Sequence, residues 1–487
     1  MKSRKVLKLV ALLVVVFMII TGMTACGGKD SSQVDGDVKT TTKAVDGGPD
    51  LHNQKFTIMS TYDHPTAFAS YWGTNDPNAY KYWPYAQAQC DSWLEALKEY
   101  NFTVETIVVP YTELMERLIA GEMAGQPVAD LWTYHTGWYA SGNPLTAIKS
   151  GYMTPLDDYV DLDYLAFNPD YRPMYMYQGK TYGVAYRDSY LPPGLVTFAN
   201  KALLEDAGLD PKAIQDDALK GGFTWAKLQE YAEKVAKDTD NDGVNDIMGF
   251  GMPGSSYLEN FALSNNASPI KKEGDKFVSG LLDKPYLDAM DFLYNNAKAG
   301  VAVLDGTSSS LYSEGKEGFV ITEIMQATNQ GWIDKLGEDM MLLPLPKGPN
   351  AQDYVNILPM GVHAWYIPSS VAADRKPLIS KFLEVYINAY SGNLGEDAGG
   401  DFERAHANYQ RTGIWMTWAC RTVDDTRVFT YLDTLPKVNE FYLVVPGFND
   451  IIIPTREPIS NLEETPTVKL SSVNDLWQQA LGEFYGK

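Results

Sequence analysis

The residues best spaced for chemistry lie in one acidic run, Asp238-Thr-Asp240-Asn-Asp242-Gly243-Val244-Asn-Asp246. Carboxylates stand at positions one, three, five and nine, with glycine at six. This is the order of the first nine residues of an EF-hand-type calcium loop. Alternate side chains converge on one centre, the glycine permits the sharp turn, and the carbonyl of Val244 fills position seven. The expected ligands of a Ca2+ ion are therefore Asp238, Asp240, Asp242, Val244 and Asp246. Gly249 stands at position twelve in place of the usual bidentate glutamate, so the loop closes early on Asp246. A solvated acidic turn is the alternative, but four carboxylates this close repel one another without a cation. Such a filled cage leaves no open coordination position, so the expected role is structural.

Other catalytic patterns fail on inspection. Gly249-Phe-Gly251-Met-Pro-Gly254 spells a dinucleotide-binding fingerprint, but it follows the metal loop and Pro253 interrupts it. Gly179-Lys180-Thr181 resembles the end of a phosphate loop whose first glycine is replaced by Met174. The histidines His52, His64, His135, His363 and His406 show no helical zinc spacing, and G-x-S-x-G is absent. A glycosidase carboxylate pair stays open, because its test is a distance in space.

The aromatic residues offer a different chemistry. A sugar ring has an apolar C–H face and a rim of hydroxyls. Flat aromatics cover the first, and Asp, Glu, Asn and Arg fork hydrogen bonds to the second. Tyr62-Asp63 follows the first strand, and Trp72 and Trp83 come soon after. Trp132, Tyr134 and Trp138 lie in or after another strand, and Arg187-Asp188, Tyr257 and Trp365 come later. Positions after strands are favoured, because ligands bind at the carboxyl ends of strands in α/β lobes. Core packing is the competing reading for each tryptophan or tyrosine singly, and Trp225 and Trp477 are read as core.

The elements that must position these residues alternate. Strand character at Lys55–Met59, Phe102–Val109 and Ala129–Trp132 is interleaved with helical patterns at Cys90–Tyr100 and after Thr112, a candidate cap. Thr224 caps a helix that leads into the acidic loop. Ser472 and Asp475 resemble a capping box before the stripe Val473, Leu476, Trp477, Ala480 and Leu481. The predicted class is α/β. The N-terminus carries Lys2, Arg4, Lys5 and Lys8, an apolar run from Leu9 to Ile20, and Ala25-Cys26, which reads as a lipoprotein signal with Cys26 as the lipidated residue. An ordinary secretory signal is the alternative. Residues 27–50 lack large apolar side chains and read as a tether. The rest exceeds one comfortable core, so two lobes are expected. A net charge of −22 disfavours nucleic acid and anionic lipid surfaces. Cys90 and Cys420 could pair or stay reduced.

Several segments, in order, resemble the extracellular solute-binding proteins of ABC importers, family 1, the sugar-binding type. They are Ala129-Asp-Leu-Trp132, Gly151-Tyr-Met-Thr-Pro-Leu-Asp-Asp-Tyr159, Gln178-Gly-Lys-Thr-Tyr-Gly-Val184, Phe198-Ala-Asn-Lys201 through Ala207-Gly-Leu209, Phe223-Thr-Trp225-Ala-Lys-Leu228, the acidic loop with Gly249-Phe-Gly251, Gly315-Lys316-Glu-Gly-Phe319 and Leu345-Pro-Lys-Gly-Pro349. The resemblance implies a two-lobe, type II periplasmic-binding-protein-like fold joined by hinge crossings near Tyr186–Leu191 and Pro359–Trp365, with a third beyond. It implies residues 1–25 as signal peptide and 26–50 as tether. The N-terminal lobe would be 51–188 plus about 362–435, and the C-terminal lobe 189–361 plus about 436–487. Tyr62, Asp63, Trp132, Asp188, Tyr257 and Glu323 match regions that line the sugar cleft in relatives. Thr322-Glu323-Ile324 stands where the family often has Gly-x-Trp. The implied function is a monomeric, non-enzymatic binder, lipid-anchored on the outer face of the membrane, that carries a carbohydrate to ABC permease subunits. A secreted glycoside hydrolase and a calcium-dependent adhesion or sensor module are the rivals.

Overall fold

The computed structural model describes residues 51–61, 96–135, 144–164, 167–185, 194–254, 257–358, 363–390, 419–438 and 441–485. Two five-stranded sheets organise the chain. In chain order the strands are β1 (Lys55–Ser60), β2 (Thr103–Val108), β3 (Leu131–His135), β4 (Gly183–Ala185), β5 (Leu195–Asn200), β6 (Met248–Gly251), β7 (Ala302–Val303), β8 (Glu317–Glu323), β9 (Met340–Leu343) and β10 (His363–Tyr366). The first sheet runs β2-β1-β3-β10-β4 and the second β7-β6-β8-β5-β9. In the first, β1 pairs in parallel with β2 and β3, while β10 is antiparallel to β3 and β4. In the second, β6 is parallel to β7 and β8, and β5 is antiparallel to β8 and β9.

Period-two alternation sorts the first sheet into two buried faces. Phe56, Ile58, Leu131, Val184 and Trp365 enter one core, and Met59, Trp132, Tyr134, Ala185 and Tyr366 enter the other. Helix α1 (Leu114–Met123) and helix α2 (Pro144–Lys149) cover the second of these faces. Asp130 locks the start of β3. It accepts from the Thr57 amide at 2.9 Å and takes a two-pronged contact from Arg375, whose Nε lies 2.6 Å from Oδ1. The second sheet has a separate core, with helix α3 (Trp225–Val235) against it. Trp225 stacks on Phe261 and Phe292, with centroids 4.8 and 5.2 Å apart. The Thr224 hydroxyl accepts from the Lys227 amide and caps α3 as expected. Helix α4 (Leu258–Leu263) packs nearby.

The chain leaves the first sheet after Ala185, returns to it at His363, and crosses again before Ala419. Helix α5 (Lys376–Tyr390) belongs to the first core, where Phe382 stacks on Phe56 at 4.2 Å. Helix α6 (Val423–Asp433) belongs to the second core through Val428, Phe429 and Leu432. This corrects the expected boundary, which left residues up to 435 with the first lobe; the apolar face of α6 fits against β9. Helices α7 (Ile453–Ser460) and α8 (Pro466–Tyr485) follow. Helix α8 buries Leu470, Trp477 and Leu481 in the second core, while Phe484 enters the first lobe.

Three local expectations are corrected. Thr112 does not cap α1, because a 3-10 turn over Tyr111–Glu113 precedes it and no side chain caps either element. Ser472 lies six residues inside α8, where its hydroxyl donates to the Lys469 carbonyl. Leu476 is exposed, because the helix begins at Pro466 and turns that position outward.

Candidate functional site

Between the two lobes lies a cavity of about 560 Å³, within the range that holds small ligands. One wall comes from the first lobe: Met115 and Ile119 on α1, then Thr146 and Ala147 on α2, and Ser150 and Tyr152 beyond it. The other wall is the segment Val445, Pro446, Gly447, Asn449 and Asp450. The wall helices are set by their own buried stripes, Leu114, Met115 and Leu118 on α1 and Leu145, Ala147 and Ile148 on α2.

The opposite wall has an unusual backbone. Gly447 adopts φ +92°, and a π-helical turn over Phe448–Ile452 follows before α7. Such turns are rare and frequent at functional sites. Pro454 supports this one, because it offers no N–H to the Asp450 carbonyl four residues back. A Cβ on Gly447 would lie 3.2 Å from the Ala480 Cβ, so the cavity wall rests directly on α8. Arg456 anchors the turn from behind. Its Nη2 lies 2.8 Å from Glu259 Oε2, its guanidinium sits 5.6 Å from the Phe448 ring, and both partners are buried.

Among the described residues the cavity lining carries one formal charge, that of Asp450, and no cation. Two basic groups close in sequence to lining residues are engaged elsewhere: Arg456 with Glu259, and Lys149 with the Glu483 carbonyl and the Phe484 ring. Asn449, Thr146, Ser150 and Tyr152 add neutral hydrogen-bonding groups.

The expected ligand residues divide sharply. Trp132, Tyr134 and Trp365 are fully buried inside the first lobe, not in a cleft wall. Trp132 and Tyr134 stack with centroids 5.0 Å apart on the face beneath α1 and α2, and Trp365 points to the opposite face. Tyr257 is buried in the second core. Glu323 is half-buried at the carboxyl end of β8, beside the passage into β5. Tyr62, Asp63, Trp72, Trp83, Trp138, Arg187 and Asp188 lie outside the described residues, as do Cys26 and Cys90. Cys420 is a free thiol, pushed up to about 12 chiefly by burial. Sequence reading missed the cavity residues. Pro446-Gly447, a turn signal before a helix, was the available local clue.

The acidic loop is ordered around its own backbone. Asp238 accepts from the Asn241 and Gly243 amides at 2.7 and 2.9 Å, and Asp246 accepts from the Thr239 amide at 2.7 Å. Lys237 and Ile247 pair to close its base, and Gly243 takes φ +93°. The Gly243 amide holds Asp238 below the usual carboxylate range, and the Thr239 hydroxyl does the same for Asp246. Carboxylate oxygens of Asp238, Asp240 and Asp246 all lie within 4.8 Å of one another. Opposite ligands of a calcium ion at roughly 2.4 Å are about that far apart, so these three fit a hard cation. Asp242 stands apart from that trio, its carboxylate accepting from the Val244 amide at 2.8 Å.

Two separate α/β sheets, three passages between them and a cavity walled from both sides define a two-lobe, type II binding-protein fold. The family model for bacterial extracellular solute-binding proteins matches residues 74–389, and the chain belongs to that family. No curated protein sequence matches it. Among solved structures, the chain is similar to the extracellular solute-binding protein of Staphylococcus aureus in complex with maltose, at 16% identity and TM-score 0.57, covering 88% of this chain and 98% of that one. It is similar to the GacH receptor of Streptomyces glaucescens GLA.O, solved unliganded and with acarbose, at 14% identity and TM-score 0.55 over 89% and 99% of the two chains. It is also similar to UgpB of Mycobacterium tuberculosis in complex with glycerophosphocholine, at 16% identity and TM-score 0.56 over 88% and 99%. Among the described residues no helix is long and apolar enough to cross a membrane.

Proposed function

We propose that this chain is a lipid-anchored carbohydrate receptor that captures a mono- or oligosaccharide outside the cell and delivers it, unaltered, to an ABC permease. The observation that carries the reading is the cavity walled by both lobes, whose described lining residues include no cation. A phosphate ester or carboxylate ligand would need a basic partner there, whereas hydroxyls are served by Asp450, Asn449, Thr146 and Ser150. Several similar structures hold sugars: maltose, acarbose and maltotetraose are named in their descriptions. Ligand touching both lobes favours their closed arrangement, and the permease would read that arrangement. Cys26 would carry the lipid and residues 27–50 the reach to the membrane. The protein would work as a monomer. Asp238, Asp240 and Asp246 would hold a Ca2+ ion that stiffens the loop after α3, with no part in the ligand's chemistry.

A thermal-shift screen over neutral saccharides tests the reading. A bound sugar at one hundred times its Kd should add about 2.7 kcal/mol of stability, and the same sugar recovered after overnight incubation should be intact. Melting curves unmoved by every sugar, but raised by glycerophosphodiesters or peptides, would replace carbohydrate with those solutes. Shortened glycans would make the protein a hydrolase.

A further inference from the structure

The residues expected to bind ligand follow strands, but the cavity lies elsewhere. It is walled by the middle of α1, the last turn of α2 and the π-turn that opens α7. Three observations give this flank a chemistry of its own. The π-turn presents Asn449 and Asp450 to the cavity, and the exposed Asp450 makes no ion pair among the described residues. Arg456 on α7 and Lys149 on α2 are held by other partners, Arg456 by Glu259 and Lys149 by the end of α8. The facing wall offers apolar Met115, Ile119 and Ala147 with the hydroxyl of Thr146, which suits one face and one edge of a sugar ring.

We infer that this flank cavity is a saccharide subsite in which Asp450 selects by charge, accepting hydroxyl-bearing rings and favouring those that carry an ammonium group, while rejecting acidic sugars. The inference rests on the carbohydrate reading and adds to it a location and a ligand class. The physical reason is the Asp450 carboxylate, the one charged group among the described lining residues. It accepts hydrogen bonds from hydroxyls, pairs more strongly with an amine, and repels a second carboxylate that has no cation to share.

Calorimetric titration of three trisaccharides separates the possibilities: neutral maltotriose, a glucosamine trimer and a galacturonic acid trimer. The native protein should bind the first two, the amino trimer more tightly, and not the third. Asp450→Asn should lower the preference for the amino trimer over maltotriose by about tenfold, the worth of one charge-assisted hydrogen bond. Thr146→Trp, at an exposed position of α2, should fill the cavity and weaken both bound trimers at least tenfold while the melting temperature holds. If maltotriose binds and Thr146→Trp leaves it unchanged, the cavity is not the subsite, though the carbohydrate reading survives. If Asp450→Asn leaves the preference for the amino trimer over maltotriose unchanged, the charge selection is wrong. If no trimer binds the native protein, both the subsite and the carbohydrate reading fall.

Discussion

Trp132 sits in the middle of the first lobe's core with no exposed surface, its ring tilted against Tyr366 at 5.3 Å. Trp132→Ala should therefore cost about 3–5 kcal/mol in urea unfolding, rather than leave the fold intact and weaken a ligand. Its Nε1 is buried with no hydrogen-bond partner among the described residues, which itself costs about 1–3 kcal/mol. Trp132→Phe should accordingly lose far less than Trp132→Ala. Glu317 makes the second residue-level prediction. It is fully buried, Ser308 donates to Oε1 at 2.8 Å, and burial holds its carboxyl well above the usual range. The folded state thus keeps a proton that the unfolded chain releases above about pH 4.3. Stability is greatest below that value and falls as pH rises toward the folded pKa. Glu317→Gln should flatten the loss of stability between pH 5 and pH 8. Parallel urea midpoints for variant and native protein across that window would refute the assignment.

The acidic loop and the end of α8 act as elements. Calcium should raise the melting temperature and chelator lower it, with Asp238→Ala abolishing the difference. Sugar affinity should stay within a few-fold, because the loop lies on neither wall of the cavity. A chelator that abolishes sugar binding outright would move the ion into the ligand site. Helix α8 ties the lobes together. Its body lies in the second core, with Trp477 Nε1 donating to the Pro269 carbonyl at 2.8 Å, while Phe484 packs 5.2 Å from Tyr177 and beneath Lys149. Phe484→Ala should loosen that tie. Faster hydrogen exchange across residues 144–152 is expected, with exchange in β5 and β8 unchanged. A uniform rise over the whole chain would mean general destabilisation instead.

At the scale of the molecule, two cores joined by passages predict that a bound saccharide reduces the radius of gyration in solution scattering. An unchanged radius at saturation would argue against closure. The α/β class, the first three strands and the acidic loop were legible in the sequence, because alternation and loop spacing are local signals. Trp132 in Ala129-Asp-Leu-Trp132 reads correctly as a strand residue, but the strand does not say which face α1 and α2 will cover. Asp130 in the same motif is held by Arg375 from 245 positions away, a pairing no local pattern announces. Helix α6 carries an apolar face that either lobe could have buried, and only packing on β9 assigns it. The cavity was invisible for the same reason. Met115 and Thr146 meet Gly447 and Asp450 across some three hundred residues of chain, and no periodicity spans such a gap. Local pattern determined which residues form strands, helices and the acidic loop. Which of their faces meet, and so where a solute can sit, was decided by tertiary packing, because burial is a property of pairs of surfaces and not of either one alone.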